Sequence, residues 1–174
     1  MNKLLIVVDY QNDFVNGALG FEGAELLEIP IAEQIAKRRK DGWKILFTYD
    51  THSEKYLSTQ EGTLLPVEHC LRGSYGWQLY GEVREAKRPN DYVIEKGALG
   101  SWELMGHLMT FPADEIELCG LVSNMCVISN AVIAKAALPE AKVTVLKNLT
   151  ASFDPDLHQK AMDVMAGMQI FIQE

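Results

Sequence analysis

Short apolar runs alternate with longer stretches of helical periodicity along almost the whole chain. Residues 4–8 form an unbroken apolar run that stops at Asp9. Comparable runs at 44–49, 92–95 and 115–119 stop at Asp50, Lys96 and Gly120, and two more follow at 142–146 and 168–172. Between them, apolar residues recur at helical spacing. Residues 30–40 carry Ile31 and Ile35 on one face, 101–109 and 155–166 read as amphipathic helices, and 124–138 is a helix rich in Ala, Ile and Val. Strands alternating with helices predict βαβ units and a parallel sheet. The continuous apolar character of the strands fits a sheet covered on both faces. The expected fold class is therefore α/β: a three-layer, doubly wound, Rossmann-like arrangement with a mostly parallel six-stranded sheet, in one domain spanning residues 1–174. Residues 51–90 break the rhythm. They are polar, rich in Gly and Pro and without clear periodicity, and a connection of that length in a compact domain is often functional.

Composition narrows the function. Hydrophobic residues make up 48% of the chain and charged residues 23%, an ordinary globular balance. The net charge of −8 argues against a nucleic-acid partner, which calls for a basic surface. The one dense basic run, Lys37 to Lys40, precedes Asp41-Gly42 and reads as cations complementing the last turn of a helix. No apolar stretch reaches membrane length, and the N-terminal run is too short for an export signal. The expectation is a soluble, cytoplasmic protein without a membrane partner. Three cysteines, Cys70, Cys119 and Cys126, make an odd count that argues against a disulfide framework.

In a sheet of this kind ligands bind beyond the carboxyl ends of the strands, so the residues that end the strands carry the chemical signal. Cys126 lies in Gly120-Leu121-Val122-Ser123-Asn124-Met125-Cys126, between a strand and a helix. In a first helical turn, free N–H groups and the helix dipole favour a thiolate and can stabilise an oxyanion. The opposing reading is an inert buried thiol, the commoner fate of free cysteine. Asp9 is a candidate general base and Lys96 a candidate partner for it and for the thiolate. Each taken alone reads better as a loop acid or a surface lysine; the three together, all at strand ends, read as one mechanism. A second constellation is Asp50-Thr51-His52, then Glu61 and His69. An Asp and a His two apart at a strand mouth, joined by a Glu and a His from the next loop, form a mixed N/O set suited to zinc, manganese or iron rather than calcium. His107 and His158, on predicted helices, read as surface residues. The run Asp9-Tyr10-Gln11-Asn12-Asp13-Phe14 is not a dinucleotide-binding loop, and the chain holds no P-loop.

Three of these segments, in order, resemble the isochorismatase-like cysteine hydrolases, and within them the nicotinamidase branch. Val7-Val8-Asp9-Tyr10-Gln11-Asn12-Asp13-Phe14 is similar to the family's first-strand motif, Ile94-Glu95-Lys96-Gly97 to its lysine segment, and residues 120–127 to its nucleophile motif. The resemblance implies Cys126 as nucleophile, Asp9 as proton carrier and Lys96 as the cation between them. It also implies a cis peptide at Leu121–Val122 and an oxyanion hole from the N–H groups of Val122 and Cys126. Asp50, His52 and His69, the last opening His69-Cys70-Leu71-Arg72-Gly73, resemble the nicotinamidase ligands for one divalent ion, zinc foremost, with Glu61 in the variable ligand position. Phe14 resembles a residue that stacks on the substrate ring. Two positions depart from the branch: Thr51 and Pro66 stand where an aromatic is usual, leaving Trp77 or Trp102 as substitutes for the second stacking ring.

What the resemblance implies is hydrolysis of nicotinamide to nicotinate and ammonia through a cysteine thioester, in a homo-oligomer. The alternative is a related cysteine amidase acting on another small amide or an N-carbamoyl compound. A binding module or a thiol redox sensor remains as a different class, to be separated by whether Cys126 is accessible and within reach of Asp9.

Overall fold

A computed structural model describes residues 1–174. Its centre is a six-stranded sheet in the order β3-β2-β1-β4-β5-β6, every neighbouring pair parallel. The strands are β1 (Lys3–Val8), β2 (Lys44–Asp50), β3 (Tyr92–Lys96), β4 (Glu115–Leu121), β5 (Lys142–Ala151) and β6 (Phe171–Gln173). The order reverses between β1 and β4, which puts a crevice at the carboxyl ends of those two strands.

Successive residues of a strand point to opposite faces, and β1 shows the consequence. Leu4, Ile6 and Val8 join one apolar cluster and Leu5 and Val7 the other, all with no exposed surface. The first cluster is closed by α5 (Trp102–Thr110), α6 (Ile128–Ala137) and α7 (Pro155–Gly167). The second is closed by α2 (Glu28–Lys40), with its buried Ile31 and Ile35, and by α4 (Gly81–Ala86). The expected three-layer α/β fold and parallel sheet are thus present.

The boundaries differ where local chemistry overrides periodicity. Helix α2 starts two residues before Pro30, because proline is tolerated in a first turn whose N–H groups have no helical partner. Strand β5 runs five residues beyond the apolar run, through a register shift against β4 between Leu118 and Gly120. The last strand is only three residues long. The 51–90 connection contains α3 (Gln60–Leu64), capped by Thr59 Oγ1 accepting from the Gly62 N–H, as well as α4. Both helices are too short for periodicity to register. Helix α1 (Asn12–Val15) is likewise a single turn. The 124–138 helix divides: residues 123–127 form a wide turn in which the Val127 N–H donates to Val122 O at 3.1 Å, and regular helix begins at Ile128. Gly120 stands at φ +109°, and a Cβ there would lie 2.0 Å from Val8 O; only glycine lets β4 close on β1 just before that turn.

The two helical histidines are not surface residues. His107 packs on Tyr92, ring centroids 4.5 Å apart, and stacks on Phe111, with its Nε2 buried and unpartnered. His158 Nδ1 lies 3.0 Å from Ser123 Oγ. Burial holds both rings below the usual histidine range. The basic run is more than a helix end as well: Arg38 pairs with Glu117 and Arg39 with Asp91.

Candidate active site

The strand ends bring Asp9, Lys96 and Cys126 together. Lys96 Nζ lies 2.7 Å from Asp9 Oδ2, 3.4 Å from Cys126 Sγ and 3.3 Å from Asp50 Oδ1, and donates to Ala98 O at 2.9 Å. All three residues are buried, Lys96 among the largest fully buried side chains of the molecule. A buried ammonium is tolerated only where charge and hydrogen bonds replace its water, and here two carboxylates, a thiol and a carbonyl do so. Asp9 adopts φ +43°, an uncommon conformation for a non-glycine residue, directly after β1. Thr48, beside it on β2, donates its hydroxyl to Asp9 Oδ1 at 2.6 Å. Asp9 Oδ2 lies against the Lys96 ammonium and accepts from no other group, so it keeps a lone pair free.

Burial raises the Asp9 carboxyl above its ordinary value, opposed by Lys96. Burial also drives the Cys126 thiol well above its ordinary value, more than Lys96 lowers it, and the negative charges of Asp9 and Asp50 add to the rise. At the start of a helical turn a thiol is expected to be lowered; here burial acts in the opposite direction and outweighs the Lys96 ammonium. Burial works against the Lys96 charge, but Asp9, Cys126 and Asp50 together hold its ammonium well above the ordinary value.

Val122 and Cys126, the two residues of the implied oxyanion hole, are both buried. The peptide between Leu121 and Val122 is cis, and the Val122 N–H makes no backbone hydrogen bond.

Asp50, His52 and His69 also converge, with one donor atom from each lying within 4.8 Å of the others. Asp50 Oδ2 is 3.0 Å from His52 Nε2 and 3.2 Å from His69 Nε2. His69 Nδ1 is 2.8 Å from Val67 O, which can only accept, so Nδ1 carries a proton and the ring is held with Nε2 facing Asp50; once that nitrogen gives up its proton, the ring stands as a metal-binding imidazole needs. Two imidazoles and a carboxylate facing one point fit a borderline divalent ion such as zinc. Burial opposes the Asp50 charge, but hydrogen bonds from His52 and His69 and the Lys96 ammonium outweigh it and hold the carboxyl below its ordinary range. Glu61 stands outside this close set, its Oε1 3.7 Å from His52 Nε2 and its side chain partly exposed.

A cavity of about 120 Å³ opens between the two constellations. That is of the order of the roughly 150 Å³ cavities that accept one benzene-sized ring. Asp50, Glu61, His69 and Cys126 line its polar side, and Phe14, Leu19, Leu65, Leu99, Met125 and Phe153 its apolar walls. Phe14 is placed as expected, 5.6 Å from the His69 ring. Neither tryptophan replaces the second aromatic. Trp77 donates through Nε1 to Thr51 Oγ1 at 2.8 Å and packs on Tyr49, away from the cavity, and Trp102 is 81% exposed on α5. Leu65, next to Pro66, and Phe153, after β5, stand in the wall instead.

Several supporting residues carried no sequence signal of their own. Gln11 clamps the Asp50 backbone, donating to its carbonyl at 2.9 Å and accepting from its N–H at 2.8 Å. Asp13 Oδ2 accepts from the Cys70 N–H at 2.7 Å and so fixes the loop that presents His69. Both lie in the first-strand motif, and nothing but tertiary contact reveals which group each holds.

The family model described as the isochorismatase domain matches residues 3–173. The chain is 27% identical to the nicotinamidase of Saccharomyces cerevisiae, covering 97% of each chain. Among solved structures, nicotinamidase PncA from Bacillus subtilis superposes with a TM-score of 0.87 at 27% identity, over 100% of both chains. Pyrazinamidase of Pyrococcus horikoshii in complex with zinc does so with a TM-score of 0.86 at 26% identity, again over 100% of both.

Proposed function

The chain belongs to the isochorismatase family, and from that premise we propose that it is a cysteine amidohydrolase of the nicotinamidase type, converting nicotinamide to nicotinate and ammonia. The observation that carries this reading is the contact of one buried ammonium with both a carboxylate and a thiol, at 2.7 and 3.4 Å, beside a small apolar cavity.

Asp9, with a free lone pair on Oδ2, takes the thiol proton of Cys126. Sulfur attacks the amide carbonyl carbon, and the carbonyl oxygen gains the negative charge. The N–H groups of Val122 and Cys126 hold that oxygen. Asp9 then gives its proton to the amide nitrogen, the C–N bond breaks, ammonia leaves and a thioester remains on Cys126. Water, deprotonated by Asp9, attacks the thioester; the acid departs and the thiol regains its proton. Lys96 keeps the carboxylate and the transient thiolate side by side throughout, since neither could be ionised in that dry site without a cation. Asp50, His52 and His69, with Glu61 alongside, would hold a divalent ion that supplies an electrophilic anchor for a ring nitrogen. Phe14 provides a flat wall for the ring.

The cavity also bears on the alternative substrates. No Lys or Arg side chain lines it and most of its walls are apolar, which favours a small uncharged amide over a substrate bearing its own carboxylate. No helix of the chain is long and apolar enough to cross a membrane.

Ammonia release from nicotinamide by the purified protein with added zinc, run beside Cys126→Ala, tests the proposal. Activity that disappears in the variant establishes nucleophile and substrate together. An inactive wild type overturns the nicotinamide assignment and directs the assay to other small neutral amides.

A further inference from the structure

Asn130 is fully buried on α6, four residues after Cys126, and its amide joins two separate pieces of the site. Nδ2 donates to Cys126 O at 2.8 Å and to Leu99 O at 3.1 Å, while Oδ1 accepts from the Ser101 N–H at 3.0 Å. Both Nδ2 protons and one Oδ1 lone pair are thus in use, the sort of full satisfaction a buried amide needs. The loop it grips, residues 97–101, follows Lys96 directly. That loop supplies Ala98 O, which accepts from Lys96 Nζ at 2.9 Å, and Leu99, which lines the cavity. The loop lies tightly on α6: a Cβ at Gly100 would come within 2.8 Å of Ile133 Cδ1 and 3.6 Å of Ser129 Cβ.

We infer that Asn130 is a positioning residue that sets the distance between the Lys96 ammonium and the Cys126 sulfur, by binding the carbonyl of Cys126 and the loop that restrains Lys96 through one planar amide. The ammonium reaches the thiol from β3 and the thiol comes from the turn after β4. These strands are not neighbours in the sheet, so strand pairing alone does not fix their separation. The amide is the side-chain link that bridges the two. The inference rests on the reading of Cys126 and Lys96 as a reacting pair, but not on the identity of the substrate.

The test uses Asn130→Leu, of similar size and without polar atoms, and Asn130→Thr. The threonine hydroxyl can still donate to the carbonyl four residues back, here that of Cys126, but loses the loop. Two readouts are taken: kcat and KM for amide hydrolysis, and the pH midpoint of Cys126 alkylation by iodoacetamide, which needs no amide turnover. Misplacement of a reacting group by about 1 Å costs on the order of 100-fold. The expected result is a fall in kcat of roughly 10- to 100-fold in Asn130→Leu with KM changed little. The alkylation midpoint moves to higher pH as the ammonium loosens from the sulfur, and Asn130→Thr falls between Asn130→Leu and the wild type. A lower melting temperature with wild-type kcat and an unmoved midpoint makes Asn130 merely structural and overturns the inference. If Asn130→Leu does not fold, Asn130→Thr decides on the same two criteria. If the wild type fails to hydrolyse nicotinamide, the alkylation midpoint still decides, so the two proposals fail separately.

Discussion

Asp9 and Glu117 both face a cation from buried positions on adjacent strands, one just past the end of β1 and the other within β4. Glu117 is closed on itself: its Oε2 accepts from Arg38 Nε at 2.7 Å and from Gln34 Nε2 at 2.9 Å, and its Oε1 takes the other arm of the guanidinium. The Arg38 guanidinium in turn lies over Trp43, 4.6 Å from the ring centroid. Such a two-armed pair matches its charges without remainder. Asp9 instead pairs its second oxygen with nothing but a lysine, and that lysine is shared with a second carboxylate and with Cys126, which lines the cavity. A lysine is a point charge with rotatable donors, able to follow charge as it moves between partners. The lesson is that burial and charge do not identify a reactive site; incomplete pairing beside a cavity does.

The comparison breaks most sharply on the carboxylates themselves. Asp9→Asn keeps the shape and removes the base, so kcat falls by roughly 10²- to 10⁴-fold in the ammonia assay; Lys96 retains Asp50 as a counterion, so the loss in urea unfolding is smaller than that of Arg38→Met. Arg38→Met does the converse. It leaves Glu117 buried and unpaired, costs about 3 kcal/mol in urea unfolding and leaves kcat unchanged; adding Glu117→Leu restores most of the loss. A catalytic defect in Arg38→Met would show that the two clusters are coupled.

A smaller effect separates the metal-facing residues. Glu61→Gln lowers zinc affinity by about 10-fold by calorimetry, within the range of a supporting group, whereas His52→Ala lowers it by considerably more. Equal losses would promote Glu61 to the close ligand set. The smallest effect is one of pH. Burial raises the Asp9 carboxyl, and Lys96 and the Thr48 hydroxyl lower it. Asp9 must be ionised to accept the thiol proton, so kcat/KM falls as pH drops through its value. Thr48→Val removes one of the lowering contacts, raises that value and moves the acid limb to higher pH by about half a pH unit. The same substitution leaves the Arg38–Glu117 pair, and the stability it confers, as they were.

Six parallel strands, two covering layers and the strand-end residues Asp9, Asp50, Lys96 and Cys126 were legible in the sequence. The strands are mostly apolar, with exceptions such as Glu117 inside β4, and the runs that form β1, β2 and β3 stop on charged residues at the site, Asp9, Asp50 and Lys96. The walls of the cavity were not. Leu19, Leu65 and Phe153 come from three loops without periodicity, and a lone leucine or phenylalanine in a loop carries no mark of which surface it meets. The histidines misled for the same reason: His158 is half-buried against Ser123 because α7 packs on the nucleophile turn, and nothing within α7 announces it.

Hydrophobic period and side-chain chemistry along a few neighbouring residues are enough to place the strands and helices in order, Gly120 before the turn, and the candidate groups Asp9, Asp50, Lys96 and Cys126 at strand ends. Tertiary packing adds what no local stretch shows: burial that raises the Cys126 thiol, Leu65 and Phe153 rather than a tryptophan in the cavity wall, and Asn130 tying the loop after Lys96 to the turn that holds Cys126. These depend on water being excluded and on hydrogen bonds closing between segments about 30 residues or more apart, and such contacts leave no local trace in the order of the amino acids.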